Sequence, residues 1–277
     1  MGGSALYINL FDSHVHSDNS FDAAHSLTFL CEKAVEQGVS GIAVTDHCEL
    51  RDYHRDHYAQ RLAQAAFDVR KCRAVFRGQL SLLFGVELSD LFYDEALAAR
   101  VLQQFPFDLV LVSQHTDQDG VDCYYVDYHT KTRAEIDAYL RFYFEYLLRV
   151  ARQGDFDALA HLTYPLRYIQ GTHKIPVDLG RYEELIDEIL RQLAARGKAL
   201  EVNTSGLAGE LGDTMPPARY LKRFRQLGGE YVTLGSDAHA AERVGAGLQQ
   251  AMQLLADAGF SYFTVYKGRQ PLQLKLI

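Results

Sequence analysis

The residues of this chain best suited to chemistry fall in short, separated motifs. Near the start, the run Phe11-Asp-Ser-His14-Val-His16 sets two imidazoles two residues apart, and Asp22 follows six residues later. On an extended chain, side chains at i and i+2 leave the same face, with Cα atoms roughly 6.5–7 Å apart. Two imidazoles so spaced can converge on one cation, each nitrogen about 2.0–2.1 Å away. Asp22 adds a hard oxygen donor able to reach back across a short loop. Similar residues recur as Thr45-Asp46-His47, Glu87, Ser113-Gln114-His115, Ala160-His161 and Ser236-Asp237-Ala238-His239. An isolated His-x-His reads more often as a strand cap beside a solvated side chain; the recurrence argues for metal. Nine candidate ligands (His14, His16, Asp22, His47, Glu87, His115, His161, Asp237 and His239) are too many for one tetrahedral ion. They suit two or three divalent ions, with a carboxylate such as Glu87 bridging a pair. Histidine and carboxylate donors accept Zn, Mn or Fe alike.

The hydrophobic pattern supplies the elements that must hold these residues. Short apolar runs at 6–12, 41–45, 81–86, 108–112, 157–160, 199–203 and 231–235 read as strands. Segments 26–37, 56–77, 132–153, 181–196, 216–227 and 242–258 carry helical periodicity, with Gly38, Gly154, Gly197 and Gly228 placed as C-terminal caps. Continuous apolar strands alternating with helices imply a parallel sheet covered on both faces. Seven repeats predict an α/β fold, a distorted (β/α)7 barrel of mainly parallel strands forming one domain over residues 1–277; an open doubly wound sheet is the alternative. Six of the eleven histidines then fall at the C-terminal ends of strands, the face where such barrels gather catalytic groups. The other five, His25, His54, His57, His129 and His173, lie outside that pattern, and His129 is the one expected nearest to substrate. The polar, tyrosine-bearing insertion 116–131 predicts an ordered loop at the rim. The aromatics of 139–146 predict a buried helix face, and 262–266 a terminal strand or extended tail.

Composition narrows the partners. The chain has 277 residues, 48% hydrophobic and 23% charged, with a net charge of −8. That balance argues against a nucleic-acid surface, yet bound metal can reverse the sign of a small site and attract an anionic substrate. No apolar run reaches membrane-spanning length, and the first residues lack a secretory pattern. Met1-Gly2-Gly3-Ser4 reads as a flexible start. Four cysteines without a Cys-x-x-Cys pair point to a reduced, cytoplasmic protein, with Cys48 beside His47 as a candidate soft ligand.

These motifs, running from residue 14 to 239, resemble the polymerase and histidinol phosphatase (PHP) superfamily of metal-dependent phosphoesterases. The stretches His161-Leu-Thr-Tyr-Pro-Leu-Arg167-Tyr168 and Glu201-Val-Asn203-Thr-Ser205-Gly206 look like its stand-alone histidinol-phosphate phosphatases. The resemblance implies a trinuclear centre. One metal would take His14, His16, Glu87 and Asp237; a second would share Glu87 and take His115 and His161; a third would take Asp22, His47 and His239. It further implies a small phosphorylated substrate, L-histidinol phosphate first among them, with another phosphate ester or a nucleotide as the alternative. Metals lower the pKa of bound water towards about 7 and clamp phosphoryl oxygens. Arg167 is the candidate for a forked phosphate contact, and Asp237 or His239 for the catalytic proton to the leaving group. A metal-dependent amidohydrolase also opens with His-x-His but leaves Asp22, His47 and His239 without a joint role. A non-catalytic metal-binding protein would bind metal without turnover. Oligomeric state is not written in these motifs.

Overall fold

Eight short strands share one parallel sheet in the structure, a computed structural model that describes residues 7–207 and 209–277. They are β1 (Phe11–Val15), β2 (Gly41–Val44), β3 (His47–Glu49), β4 (Ser81–Ser89), β5 (Leu109–Ser113), β6 (Ala158–Leu159), β7 (Ala199–Asn203) and β8 (Val232–Gly235). β2 pairs with the first half of β4 and β3 with its second half, so Thr45-Asp46 interrupts a single stave. Seven staves result, in the order β1, β2/β3, β4, β5, β6, β7, β8. The seam between β1 and β8 is bridged at Val15–Ala238: the His16 amide donates to the Ala238 carbonyl (2.9 Å) and the Asp237 amide to His14 (2.8 Å). The buried Asp12 carboxylate stitches it further, accepting from the Ser236 amide (2.8 Å) and the Gly245 amide (2.7 Å). The fold is therefore the expected distorted (β/α)7 barrel, nearly closed. Apart from Ser81, every strand residue is buried, as a parallel sheet covered on both faces requires.

Seven helices surround the staves: α1 (Leu27–Glu36), α2 (Tyr58–Val75), α3 (Glu95–Gln104), α4 (Arg133–Gln153), α5 (Glu183–Ala195), α6 (Ala218–Gln226) and α7 (Leu248–Asp257). Local chemistry sets several starts. Ser26 and Asp94 cap α1 and α3, and a Thr132/Glu135 capping box opens α4. In α4, Tyr143 and Phe144 are fully buried, the core role expected of 139–146. Three differences from the sequence reading have physical causes. α3 carries only Leu97, Ala98 and Val101 as its buried face, too narrow a stripe to stand out. α7 begins at 248 rather than 242, because Gly245 and Gly247 take φ of +73° and +78° and separate it from a short turn at Ala241–Arg243. Gly154 ends α4 with φ −64° instead of a left-handed cap; glycine is needed there for space, since a Cβ would lie 2.8 Å from Leu91 Cδ2.

β1 also starts later than the apolar pattern suggests. It runs through Asp12 and His14, so the first imidazole sits on the strand itself; the anticipated start at Leu6 and the segment 1–4 lie outside the described residues. The C-terminal segment is an antiparallel hairpin of β9 (Tyr262–Lys267) and β10 (Gln270–Lys275). Its two-residue turn, Gly268-Arg269, has both φ values positive, the geometry that matches strand twist. Arg269 bonds Asp157 and the Asp108 carbonyl just before β6 and β5, so the hairpin packs at the end of the barrel opposite the histidines. Among the described residues no helix is long and apolar enough to cross a membrane.

Candidate metal centre

All nine anticipated side chains converge at the C-terminal ends of the strands. β1 supplies His14 and, one residue beyond it, His16; β3 supplies His47, β4 Glu87, and the residues just after β5, β6 and β8 supply His115, His161, Asp237 and His239. Asp22 arrives from the loop before α1. His161 and Asp237 have φ values of +23° and +54°. A non-glycine residue in that region is strained, and such strain gathers where a side chain must be aimed.

Glu87 is the hub. Its carboxylate lies 2.7 Å from His161 Nε2, 3.0 Å from His47 Nδ1, 3.1 Å from His115 Nε2, 3.3 Å from His14 Nε2 and 3.5 Å from His16 Nε2. Asp237 Oδ1 stands 3.3 Å from His16 Nε2 and 3.6 Å from His239 Nδ1. Asp22 lies 3.2 Å from His239 and 3.6 Å from His47. Four triplets bring ligand atoms within 4.8 Å of one another: His14/His16/Asp237, His14/Glu87/His161, His47/Glu87/His115 and His16/His47/His239. The donor sets suggested by resemblance are regrouped here: His14, His16 and Asp237 stay together, His161 falls with His14 and Glu87, and His115 with His47 and Glu87; His47 reaches Glu87 through one ring nitrogen and His239 and Asp22 through the other.

The arrangement fits metal ions on a specific ground. The ligand atoms His14 Nε2, His16 Nε2, His47 Nδ1 and Glu87 Oε2 are buried without a hydrogen-bond partner. Orphaned polar atoms of this kind cost roughly 1–3 kcal/mol each, so natural proteins seldom bury several together without a partner such as an ion. Electrostatics point the same way. Burial opposes charge on every member, yet the surrounding imidazoles hold Glu87 and Asp237 well below the ordinary carboxylate range. Burial likewise opposes charge on His47, but Glu87 and Asp22 lift it to about 10. His16, buried against His239 and His47, is pushed well below the usual histidine value and stays neutral, ready to offer its lone pair.

Several positioning residues escaped the sequence reading. Glu201, on the strand given no site residue, is fully buried: its Oε1 lies 2.7 Å from His14 Nδ1 and its Oε2 accepts the His161 amide at 2.8 Å. A carboxylate on the far nitrogen fixes the ring of a ligating histidine and raises its basicity. We expect Glu201→Gln to weaken metal affinity by about 10- to 100-fold while the circular dichroism stays native; unchanged affinity by competitive chelation would contradict this role. Glu49 sits two residues after His47 on β3 and lies 3.0 Å from His115 Nδ1. The i, i+2 rule already applied to His14 and His16 would have found it. Cys48, between them, is buried in the core, and among the described residues no cluster of ligand atoms includes it, so it is not brought to the centre as a soft ligand. Asp46 accepts from Ser17 and Ser20, and Ser20 in turn meets His16 Nδ1 at 3.2 Å.

The cluster floors a cavity of 460 Å³. Arg167 stands on one side, its Nη1 3.3 Å from Ser205 Oγ and 3.6 Å from Asp237 Oδ2. Tyr124, Tyr125, Tyr164, Tyr168 and Asp122 complete the walls, with Tyr164 packed on His115 and His161 at ring centroids 5.0 and 4.6 Å, and the 116–131 insertion is an ordered rim, as anticipated. None of the other five histidines lines the cavity. His129, the one expected nearest substrate, is exposed and packs on His173 with ring centroids 4.9 Å apart.

Comparison with known proteins agrees with this geometry. A Thermotoga maritima protein named "Probable histidinol-phosphatase" is 29% identical over 275 residues, covering 96% of this chain and all of that one. The histidinol-phosphatase of Lactococcus lactis subsp. lactis is 28% identical, covering 93% of this chain and 94% of that one. The crystal structure of the Lactococcus lactis histidinol phosphate phosphatase complexed with Zn, L-histidinol and phosphate superposes with a TM-score of 0.79 at 25% identity, over 95% of this chain and 99% of that one. The family model described as the PHP domain matches residues 12–205, a span holding seven of the nine converging side chains and Arg167. By that match, the chain belongs to the PHP domain family.

Proposed function

We propose that the chain is a metal-dependent phosphomonoesterase that hydrolyses L-histidinol phosphate to L-histidinol and phosphate, a step of histidine biosynthesis. The observation that carries this reading is the pairing, in one cavity, of the Glu87-centred ligand cluster and Arg167 with a tyrosine wall that includes the acidic Asp122. The first half suits a phosphate dianion; the second suits a ring-bearing cation such as the histidinol moiety. The similar Lactococcus lactis structure contains Zn, L-histidinol and phosphate. Two or three divalent ions, held by His14, His16, Asp22, His47, Glu87, His115, His161, Asp237 and His239, would supply an activated water and Lewis-acid stabilisation of phosphoryl charge.

The chain's own residues divide the remaining work. Arg167 orients the phosphoryl group with its fork, and Ser205 and Asp237 hold the guanidinium in place. Asp237 keeps its charge, because the imidazoles around it overcome burial, so it serves as an orienting anion. His239 is better suited to protonate the leaving alkoxide in the two-ion form, in which its Nε2 is not taken by a metal, since its Nδ1 bonds the Asp237 carbonyl at 3.0 Å and neighbouring Asp22 and Asp237 overcome burial to raise its pKa. An aryl leaving group needs no such proton. His239→Asn should therefore slow L-histidinol phosphate at least about tenfold more than p-nitrophenyl phosphate; equal losses on both esters would remove His239 from this role.

Metal uptake has its own signature. Glu87, Glu49, Glu201 and Asp22 hold His14, His47 and His115 protonated above neutral pH against the effect of burial. Ligation requires the neutral ring, so loading at pH 7 should release about one or more protons per chain and apparent affinity should rise with pH. Calorimetry in buffers of different ionisation enthalpy measures this; a proton count of zero would contradict it. All four cysteines are buried free thiols, which supports a cytoplasmic setting. The substrate assignment is tested by kcat/KM for L-histidinol phosphate against sugar phosphates, nucleotides and short DNA. A preference of about a hundredfold or more is expected, and flat activity across the panel would replace this substrate with another phosphate ester.

A further inference from the structure

The segment following His161 serves two cavities. Tyr164, Arg167 and Tyr168 face the one lined by the metal ligands, whereas Thr163, Leu166 and Gln170 border a separate cavity of 430 Å³. Four charged side chains edge the second cavity: Asp178, Glu183, Asp213 and Arg219. Among the described residues, none of the four forms an ion pair within 4.0 Å. Arg219 donates to the Tyr220 hydroxyl (2.9 Å), which donates to Glu183 Oε2 (3.0 Å), leaving most of the guanidinium fork open. α6 starts beside it without a side-chain cap; the Tyr220 amide bonds the Pro217 carbonyl (2.9 Å), which leaves the Ala218 and Arg219 amides as donors. A further feature points to a ligand independently of these charges: Thr163 is fully buried, lines the cavity, and its hydroxyl has no partner.

We propose that this cavity binds a basic α-amino acid and acts on the neighbouring site through Arg167. The carboxylate of the ligand meets Arg219 and the start of α6. Its two cationic groups meet Asp178, Asp213 and Glu183, and the Thr163 hydroxyl accepts or donates one bond. Three anions facing one cation select a ligand with an additional positive charge over a neutral zwitterion. Leu166 flanks Arg167 in the chain, and Gly171 lies so close to the opposite wall that a Cβ there would be 3.1 Å from the Leu211 amide. An occupant wedged between these walls shifts the turn that carries Arg167, so it changes KM for the phosphate ester.

The test is calorimetric titration of metal-replete protein with L-lysine, L-arginine, L-histidine and L-leucine, in the presence of saturating inorganic phosphate. A basic amino acid is expected to bind at least about tenfold more tightly than L-leucine, and Arg219→Gln and Thr163→Val should each weaken it while thermal stability and basal turnover hold. Absence of binding by all three basic amino acids, binding abolished by phosphate, or binding untouched by both variants would overturn the site. In parallel, the bound amino acid should change KM for p-nitrophenyl phosphate about fivefold in the native chain and leave Arg219→Gln unaffected; binding with no change in KM overturns the action through Arg167. The titration needs no turnover, so it stands even if the assignment of the phosphatase substrate fails.

Discussion

Glu87→Gln is expected to lower kcat/KM by about a thousandfold or more and to remove at least about one metal ion per chain. Among the described residues no other carboxylate lies within 3.5 Å of five imidazoles, and its second oxygen is one of the buried orphans. Glutamine keeps the volume but loses the charge that lets one side chain serve two ions. The loss should appear in elemental analysis of the purified variant before any assay, and metal-dependent thermal stabilisation should shrink with it. A variant with a full metal complement and native turnover would show that Glu87 is a packing residue and that the ions, if bound, lie elsewhere.

The second large effect belongs to Arg167. Arg167→Ala should raise KM about 10- to 100-fold, the worth of one charge-assisted bidentate contact, with metal content unchanged because Arg167 touches Asp237 only at 3.6 Å. Arg167→Lys should recover part of the loss, since lysine supplies the charge without the planar fork. Steady-state kinetics with inorganic phosphate as a competing ligand separates the outcomes: both KM and phosphate inhibition should weaken in step. An alanine variant with unaltered kinetics would return Arg167 to the surface-pairing role that its half-exposed side chain also permits.

The convergence of these side chains was legible in the sequence because strand periodicity does most of the work. Once His47, Glu87, His115, His161 and the Asp237–His239 pair fall at equivalent strand ends, barrel closure brings them together without further information. The resemblance drawn from the same residues supplied the family and the substrate class. What stayed hidden lies in residues that act sideways. Glu201 reads as an interior strand residue and is informative only when His14 is seen 2.7 Å away across the seam of the barrel. Glu49 lies on a three-residue strand that the apolar pattern did not mark, although its i, i+2 spacing from His47 is the same signal that His14 and His16 carry. The end of β1 has the same origin: the apolar run read as a strand stops at Asp12, but the strand continues to Val15 because Glu201 satisfies the buried His14 ring. His129 misled in the opposite sense, since loop position alone says nothing about which way a side chain faces.

One measurement bears most directly on metal-dependent hydrolysis of L-histidinol phosphate: phosphate release on a single preparation, with its metal content determined before chelation, after chelation and after reconstitution. The expected result is two or three equivalents of metal, with turnover that vanishes on chelation and returns with Zn, Mn or Fe. Full turnover by the chelated protein, or a metal-replete protein that releases no phosphate, would contradict the account.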